Sequence, residues 1–364
     1  MRELPDLLTM GQIQSCLLVA DHAVWKQPQI QLRMEPALER LDRVIRFSRF
    51  TPNPTVESVE SALSEMAVHE VDAVVALGGG TAIDIAKLVS VSLGSGIQSV
   101  VASPDQASRE VSLIAIPTTA GTGSEVTHFA VLYIDGVKQS IANEVLRPDI
   151  AIVDPDLLMS VPTHVAAHTG LDALCQCIES IWSINANAES TTYARDGLRL
   201  ALEHLEQAVK APDAASRDSM ARAAHLSGKA IDISKTTAAH ALSYAMTSYH
   251  GIPHGLAVAL TIGPMLEWNA QVTEGDCTHP EGVDAARSAV SRLVESLSCP
   301  DGVAGGDRID QLIRSIGCDI RLGAYGIDAS DIERLSGAVN TERLGNNPRS
   351  LGRKDIERLL MERL

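Results

Sequence analysis

The sequence has no apolar run of the ~20 residues that a membrane-spanning helix requires. The nearest candidate, residues 252–266, is interrupted by one histidine and two prolines. Acidic residues occur early in the N-terminal segment, and no small-residue cleavage site follows an apolar core there, as it would in a secretory signal. We therefore expect a cytoplasmic protein that does not insert into a membrane.

Basic residues are also scarce. Only 30 Lys+Arg residues stand against 46 Asp+Glu, so the formal net charge is −16. This charge argues against DNA, RNA or an anionic membrane as the main partner, because all three carry dense negative charge. A small anionic substrate is not excluded, since it needs only a local basic pocket.

Cysteine is too sparse for a disulfide scaffold, with six residues in a chain of 364. Cys175 and Cys177 are separated by one residue, whereas common zinc and redox motifs have two residues between their cysteines. We expect the six thiols to be buried in the core or to lie singly on the surface.

The first part of the chain alternates apolar strand patterns with helical ones. Strands are predicted at residues 16–20, 43–47, 71–77, 112–116, 126–134 and 150–153. Helices are predicted over residues 55–69 and 81–93. Because such alternation is typical of an α/β domain with a parallel sheet, we assign this fold class to residues 1–160.

The pattern changes after Asp154-Pro155, where the chain becomes rich in Ala and Leu at helical spacing. Helices are predicted at residues 165–182, 189–209, 216–232, 236–248 and 287–298. A stretch with three glycines, Asp301–Asp307, is predicted to be a loop. We therefore predict an all-helical second domain over residues 161–364.

Two polar turns point to a bound nucleotide. The glycine run Gly78–Gly80 closes one predicted strand, and a helix starts with Thr81. Glycines let a ligand approach the backbone, and the helix N-terminus offers N–H groups to phosphate, although the run could equally be a structural tight turn. A second turn, Pro117–Glu125, follows the next strand, and two such turns at the carboxyl ends of parallel strands favour nucleotide binding.

Four residues of the helical domain suit a divalent metal site. Asp172 and Gln176 are four residues apart on one predicted helix and therefore share a face. His240 and His254 are fourteen residues apart, but a glycine and a proline between them break the helix, so the chain can fold back. One Asp and two His form an ordinary divalent-metal set, whereas the alternative is that both histidines are merely packed or exposed.

Several ordered motifs span residues 15–360. They are Pro52–Thr55, Gly78–Lys87, Ile116–Glu125, Pro148–Pro155, Thr169–Leu174, His240 with Pro253–Gly255, and Asn347–Arg349. In these motifs the chain resembles the iron-containing, or group III, alcohol dehydrogenase family. The resemblance implies the dehydroquinate synthase-like fold of that family, a dinucleotide-binding α/β domain followed by a helical domain, and hydride transfer with NAD(P).

The resemblance also implies roles for individual residues. Gly79 and Gly80 would hold the cofactor pyrophosphate, while Asp172, His240 and His254 would bind Fe²⁺ or Zn²⁺. The complete cofactor-binding set that we predict is Ser48, Arg49, Gly79, Gly80, Thr81, Asp84, Thr118, Thr119, Thr122 and Ser124.

Three positions depart from the family pattern. Gln176 stands where a histidine ligand is usual, and its amide could ligate only as a weaker donor, through the carbonyl oxygen. Tyr244 replaces a second histidine, and its hydroxyl, neutral near pH 7, is a candidate proton donor. Ser48 replaces an acid that accepts ribose hydroxyls, and Arg46 and Arg49 flank it, which predicts NADPH in preference to NADH.

The segment before His240 is unusual for the family. Lys235, Thr236 and Thr237 supply a compact positive charge and two hydroxyls, which suit a phosphonate, phosphate or carboxylate. The run is similar to that of the phosphonoacetaldehyde reductases of this family, which form 2-hydroxyethylphosphonate in phosphonate biosynthesis. We predict an NAD(P)H- and metal-dependent reductase of a small anionic aldehyde, with Lys235 and Tyr244 as catalytic residues.

Other interpretations stay open. Lys235 could simply be a solvated residue at a helix end. An enzyme of the same class could act on a neutral alcohol or on a carboxylate such as maleylacetate. The chain could also be a lyase like dehydroquinate synthase, or a binding protein that has lost catalysis. We expect a homodimer or a larger homo-oligomer, as is common in the family.

Overall fold

The computed structural model describes residues 1–66 and 70–364. The chain divides into two compact units, Met1–Val161 and Pro162–Leu364. Among the residues so described, no helix is both long and apolar enough to cross a membrane.

The described residues of the first unit form seven strands. In chain order they are β1 (Ser15–Ala20), β2 (Arg43–Phe47), β3 (Ala73–Gly78), β4 (Ser112–Pro117), β5 (Phe129–Ile134), β6 (Val137–Ala142) and β7 (Ile150–Ala151). Five of them form a parallel sheet in the order β2-β1-β3-β4-β7. From β1 the chain runs first to β2 on one side and then to β3 on the other, and such a reversal opens a crevice at the carboxyl ends of the strands.

Helices surround this sheet. They are α1 (Leu4–Met10), α2 (His22–Trp25), α3 (Pro28–Leu38), α4 (Val56–Met66), α5 (Gly80–Ser92) and α6 (Ile97–Ala102). Alternate residues of β1 enter two separate cores: Leu17 packs with residues of α4 and α5, while Leu18 packs with residues of α1 and α3. Because helices cover both faces, the central strands are apolar throughout. The helix predicted over residues 55–69 is α4, and the last three residues of that prediction lie outside the described residues.

A separate antiparallel hairpin consists of β5 and β6. Strand β5 is shorter than the strand predicted at residues 126–134, because Ser124–Val126 forms a 3-10 turn. The sequence analysis did not predict β6, although its signal was present. Asp135 and Gly136 have φ angles of 50° and 77°, as a two-residue hairpin turn requires.

The second unit is helical. Its helices are α7 (Thr163–Trp182), α8 (Ala188–Lys210), α9 (Ala214–Ser234), α10 (Ala238–His250), α11 (His254–Ala270), α12 (Val283–Ser296), α13 (Gly302–Ser315), α14 (Ile332–Gly337), α15 (Thr341–Leu344) and α16 (Arg353–Met361). A parallel α/β unit followed by a helical unit confirms the predicted fold class.

The loop predicted at Asp301–Asp307 is wrong, because α13 begins at Gly302. The Asp301 side chain caps this helix by accepting a hydrogen bond from the Ala304 N–H at 2.9 Å. A Cβ atom at Gly302 would lie 2.6 Å from the Cβ of Ala270, and one at Gly305 would lie 2.7 Å from Leu266. The glycines therefore allow α13 to pack closely against α11, and this benefit is visible only in the packed structure.

Candidate active site

The two polar turns of the first unit lie against each other. Gly79 is the N-cap of α5, and a Cβ atom there would come 3.1 Å from Oγ1 of Thr119. A Cβ atom at Gly80 would come 2.7 Å from Cγ2 of Thr122. The structure thus brings together Gly79, Gly80, Thr119 and Thr122 at the carboxyl ends of β3 and β4, where the closeness of the turns requires glycine.

Thr118 has a hydroxyl group to which a bound cofactor could supply a hydrogen-bond partner. Its N–H donates to the Gly78 carbonyl at 3.0 Å, which joins the two turns. Its hydroxyl is buried and makes no hydrogen bond with any residue in the described ranges. Because a buried hydroxyl without a partner is unfavourable, this atom fits the polar edge of a bound ligand.

Asp84 and Ser124 bond to each other. The Ser124 hydroxyl donates to Oδ1 of Asp84 at 2.6 Å, and the Val131 N–H donates to Oδ2 at 3.1 Å. Burial raises the pKa of the Asp84 carboxyl, although nearby Lys87 opposes that shift. These contacts favour a structural role, in which the pair ties the second turn to α5, over direct contact with a cofactor.

The remaining predicted cofactor residues surround the Pro52–Thr55 turn and the end of β2. The Thr81 hydroxyl accepts a hydrogen bond from the Asn53 N–H at 3.4 Å. The Ser48 hydroxyl is buried and has no hydrogen-bond partner in the part of the chain that the structure describes. Arg49 is 68% exposed and pairs with Glu65 at 2.5 Å, a surface contact that is easily exchanged.

In the second unit, three helices bring one carboxylate and two imidazoles together. Ligand atoms of Asp172 on α7, His240 on α10 and His254 at the start of α11 all lie within 4.8 Å of one another. Nε2 of His240 is 3.4 Å from Oδ1 of Asp172, and this buried nitrogen makes no hydrogen bond within the described residues. A buried nitrogen without a partner, beside a carboxylate and a second imidazole, fits one divalent cation.

The position of His254 depends on a reversal of the chain. Helix α10 ends at His250, the C-cap residue Gly251 has a φ of 67° that favours glycine, and α11 begins after Pro253. A Cβ atom at Gly255 would lie 2.0 Å from the His168 carbonyl oxygen and 2.7 Å from the Asp172 Cβ. The first turn of α11 therefore rests directly on the backbone of α7, which places His254 beside Asp172.

Glu179, which the sequence analysis missed, lies behind His240. It is fully buried on α7, and its Oε2 pairs with Nδ1 of His240. Burial alone would raise the pKa of Glu179 and lower that of His240. Their attraction outweighs burial, so the pKa of Glu179 falls and, with help from Asp172, that of His240 rises to about 9. The available signal was its spacing, seven residues after Asp172 on one helix face.

Thr237 was predicted to contact a substrate anion, but its contacts in the structure favour a role within the fold. The side chain is fully buried, and its hydroxyl donates to Oε1 of Glu179 at 2.8 Å. The same hydroxyl accepts a hydrogen bond from the indole N–H of Trp182 at 2.8 Å. Thr236 is also buried, and its carbonyl accepts from the side chain of Asn346 at 2.9 Å. The tertiary contacts thus use the Thr237 hydroxyl within the protein.

The two substituted positions lie near the cluster. Gln176 is buried, and the Ser227 hydroxyl is 2.8 Å from its Oε1 atom. Tyr244 is half-buried, and its ring lies 6.0 Å from that of His254, measured between centroids. Both side chains are therefore on elements of the candidate site, and their roles as metal ligand and proton donor stay predictions.

Lys235 occupies the three-residue linker between α9 and α10. Its φ of 58° and ψ of 171° belong to a backbone region used almost only by glycine. The residue is half-buried, and its ammonium forms no ion pair or hydrogen bond with any residue of segments 1–66 and 70–364. A lysine held in an unfavourable conformation without an internal partner indicates a role outside the fold itself.

Comparisons with known proteins agree over most of the chain. A family model described as iron-containing alcohol dehydrogenase matches residues 1–155, and the C-terminal model of the Fe-containing alcohol dehydrogenase family matches residues 166–364. The chain is 35% identical to phosphonoacetaldehyde reductase of Streptomyces viridochromogenes, over 91% of this chain and 85% of that protein. It is 31% identical to 1-propanol dehydrogenase of Salmonella typhimurium, over 90% and 87%.

Solved structures show the same architecture. The crystal structure of sulfoacetaldehyde reductase from Bifidobacterium kashiwanohense, in complex with NAD⁺, has a TM-score of 0.87 and 28% identity. The match covers 99% of this chain and 94% of that one.

Proposed function

Since this chain belongs to the iron-containing alcohol dehydrogenase family, we propose that it is an NAD(P)H-dependent reductase of a small anionic aldehyde. Membership of the family confirms the resemblance drawn from the motifs and the assignment to the alcohol dehydrogenase class of oxidoreductases. The specific reaction that we propose is reduction of phosphonoacetaldehyde to 2-hydroxyethylphosphonate. One hydride from the cofactor and one proton convert the aldehyde to the alcohol.

The first unit is proposed to hold the nicotinamide cofactor. The α5 N-terminus offers partial positive charge to the pyrophosphate, and Gly79 and Gly80 leave its backbone accessible. The unsatisfied Thr118 hydroxyl supports this assignment, because a ligand would supply its partner. The bound nicotinamide supplies the hydride, and the protein residues orient it.

The second unit is proposed to hold a divalent cation on Asp172, His240 and His254. A cation bound there supplies Lewis-acid polarisation of the substrate oxygen. Nε2 of His240 has a lone pair for the cation once its proton has left, and the Asp172 carboxylate lowers the net charge of the cluster. Tyr244, next to His254, is our candidate donor for the proton that completes the alcohol.

The observation that best supports an anionic substrate is the ammonium of Lys235, which is unpaired among the described residues. An ammonium without an internal partner, five residues before His240, can bind the head group of a substrate whose aldehyde lies near the cluster. The names of two relatives support this class, since phosphonoacetaldehyde and sulfoacetaldehyde both join a short aldehyde to an anionic head group.

A neutral alcohol is the second candidate, because 1-propanol dehydrogenase is nearly as similar as the phosphonoacetaldehyde reductase. A maleylacetate-type carboxylate and a lyase reaction remain further alternatives. Consumption of NADPH separates a reductase from a lyase, which shows no net redox change. The charge of the preferred substrate separates a neutral alcohol from the anionic candidates, and the kind of acidic group, phosphonate or carboxylate, separates those from each other.

The decisive experiment measures NADPH oxidation with phosphonoacetaldehyde, sulfoacetaldehyde, maleylacetate and propanal, before and after removal of metal by a chelator. We expect phosphonoacetaldehyde to have the highest kcat/KM and activity to return when Fe²⁺ or Zn²⁺ is restored. Preference for propanal would contradict the anionic substrate. Full activity after metal removal would contradict the metal assignment and leave the reductase in place.

Cofactor preference gives a second test. We expect NADPH to be preferred and Ser48→Asp to shift the kcat/KM ratio about tenfold towards NADH, because a carboxylate repels a 2′-phosphate and accepts ribose hydroxyls. Arg49→Ala tests the neighbouring charge separately, because Arg49 pairs with Glu65 on the surface. An unchanged ratio in Ser48→Asp would show that position 48 does not contact the ribose.

A further inference from the structure

We propose that Glu179 is a positioning residue that keeps a proton on Nδ1 of His240 and so reserves Nε2 for the divalent cation. The inference rests on the metal assignment in the proposed function. It adds a residue that never contacts the metal but decides whether His240 can bind it.

The Glu179 carboxylate contacts the imidazole of His240 directly. Glu179 is fully buried, and its Oε2 pairs with Nδ1 of His240. An ionised carboxylate can only accept hydrogen bonds, so the proton between these atoms belongs to Nδ1. A neutral imidazole carries one N–H, and its other nitrogen, Nε2, then presents a lone pair towards Asp172.

Three hydrogen-bond donors surround the other oxygen of Glu179, Oε1. Oε1 of Glu179 accepts from the Ala239 N–H at 2.9 Å, the His240 N–H at 3.3 Å and the Thr237 hydroxyl at 2.8 Å. Trp182 can only donate, and it donates to the Thr237 oxygen, so the Thr237 proton must point to Glu179. Every proton around Oε1 is therefore fixed in direction, and this oxygen must remain an acceptor.

Glu179→Gln would place an amide at this position. In Glu179→Gln the carbonyl oxygen must face the three donors, because an NH₂ group there would oppose N–H and O–H groups. The NH₂ group must then face Nδ1 of His240. A donor at that position makes Nδ1 the acceptor and moves the ring proton to Nε2, which blocks the nitrogen that would bind the cation.

We expect the metal affinities of the Glu179 variants to fall in an unusual order. Glu179→Gln has nearly the shape of the native side chain, yet we expect it to bind Zn²⁺ or Co²⁺ about 10–100-fold more weakly, as for other residues that orient metal ligands. Glu179→Ala presents no NH₂ group, so its imidazole can choose the productive tautomer. We therefore expect the Ala variant to bind metal more tightly than the Gln variant, whereas a purely structural role predicts the reverse.

The experiment titrates metal-free protein with Zn²⁺ against a competing chelator and records the absorption spectrum with Co²⁺. Glu206→Gln, the same change on the exposed surface of α8, is the matched control and should bind like the unaltered protein. Melting of each metal-free variant checks folding. If Glu179→Gln does not fold, Glu179→Asp is compared with Glu179→Ala, and the carboxylate variant should bind more tightly.

Each outcome is decisive. Affinities in the order unaltered protein, Ala variant, Gln variant support the tautomer role. Equal affinity of the Gln variant and the unaltered protein, or an Ala variant weaker than the Gln variant, would overturn it. Equal binding by the Asp and Ala variants would also overturn it. If the unaltered protein binds no metal, the metal assignment of the proposed function fails. If the unaltered protein binds metal but the variants do not follow the expected order, only the role of Glu179 fails.

Discussion

Replacement of Gly255 by alanine is expected to lower the free energy of unfolding by about 3 kcal/mol and to weaken metal binding at least ~100-fold. The added Cβ would lie 2.0 Å from the His168 carbonyl oxygen and 2.9 Å from the Asp172 backbone nitrogen. Both atoms belong to the backbone of α7, so no rotamer change relieves the contact. The start of α11 must move away and carry His254 with it.

Urea unfolding of the metal-free variant and Zn²⁺ competition would measure both effects. Gly275→Ala is the matched control in the same unit, because a Cβ there would have only one neighbour, the Thr273 hydroxyl at 3.9 Å. We expect that control to match the unaltered protein. If Gly255→Ala retained both stability and metal affinity, the close contact of α11 with α7 would not determine where His254 lies.

Lys235→Ala is expected to lower kcat/KM for phosphonoacetaldehyde about 100-fold, which corresponds to about 2.7 kcal/mol. This is the range for a charge-assisted hydrogen bond to an anionic group. Activity on propanal should change less than about threefold, because a neutral aldehyde offers no partner to the ammonium. Lys235→Arg keeps the charge in a different geometry and should be intermediate.

Two variants at position 235 distinguish the effect of the ammonium on activity from the effect of the backbone conformation on stability. Lys235→Gly removes the ammonium as Lys235→Ala does, but glycine occupies φ 58°, ψ 171° without the Cβ penalty. We expect equal losses of activity in the two variants, while the Gly variant is about 1 kcal/mol more stable than the Ala variant. Steady-state kinetics and urea unfolding measure the two quantities.

The segment around Lys235 explains why the unfavourable conformation persists. The Ser183 hydroxyl donates to the Ser234 carbonyl at 2.6 Å, and the Asn346 side chain donates to the Thr236 carbonyl at 2.9 Å. Contacts on both sides therefore hold the linker. An equal loss of activity on propanal in Lys235→Ala would contradict anion binding and indicate a general role in the site.

Much of the order of strands and helices was predictable because it follows local periodicity, although β6 and α13 were missed. Alternate residues of β1 meet different cores, and the helices of the second unit repeat their apolar residues at helical spacing. The glycine turns were indicated by residue type, and Asp172, His240 and His254 were indicated as candidate ligands by side-chain chemistry together with the resemblance to the family. These features depend on neighbouring residues or on residue type, both of which the sequence displays directly.

Other features were decided only by tertiary structure. Glu179 meets both Thr237 and His240 across about sixty residues of sequence. Its spacing from Asp172 could show that the two share a helix face, but not which side chains Glu179 would contact. The glycines of α13 look like a loop in the sequence, and their role is visible only where α11 packs against them. Position 255 has no room for a Cβ atom because α7 lies within 3 Å of it. Local sequence thus determined the elements and the candidate ligands. Packing between distant segments determined which polar groups face one another, because that depends on where each helix lies in space.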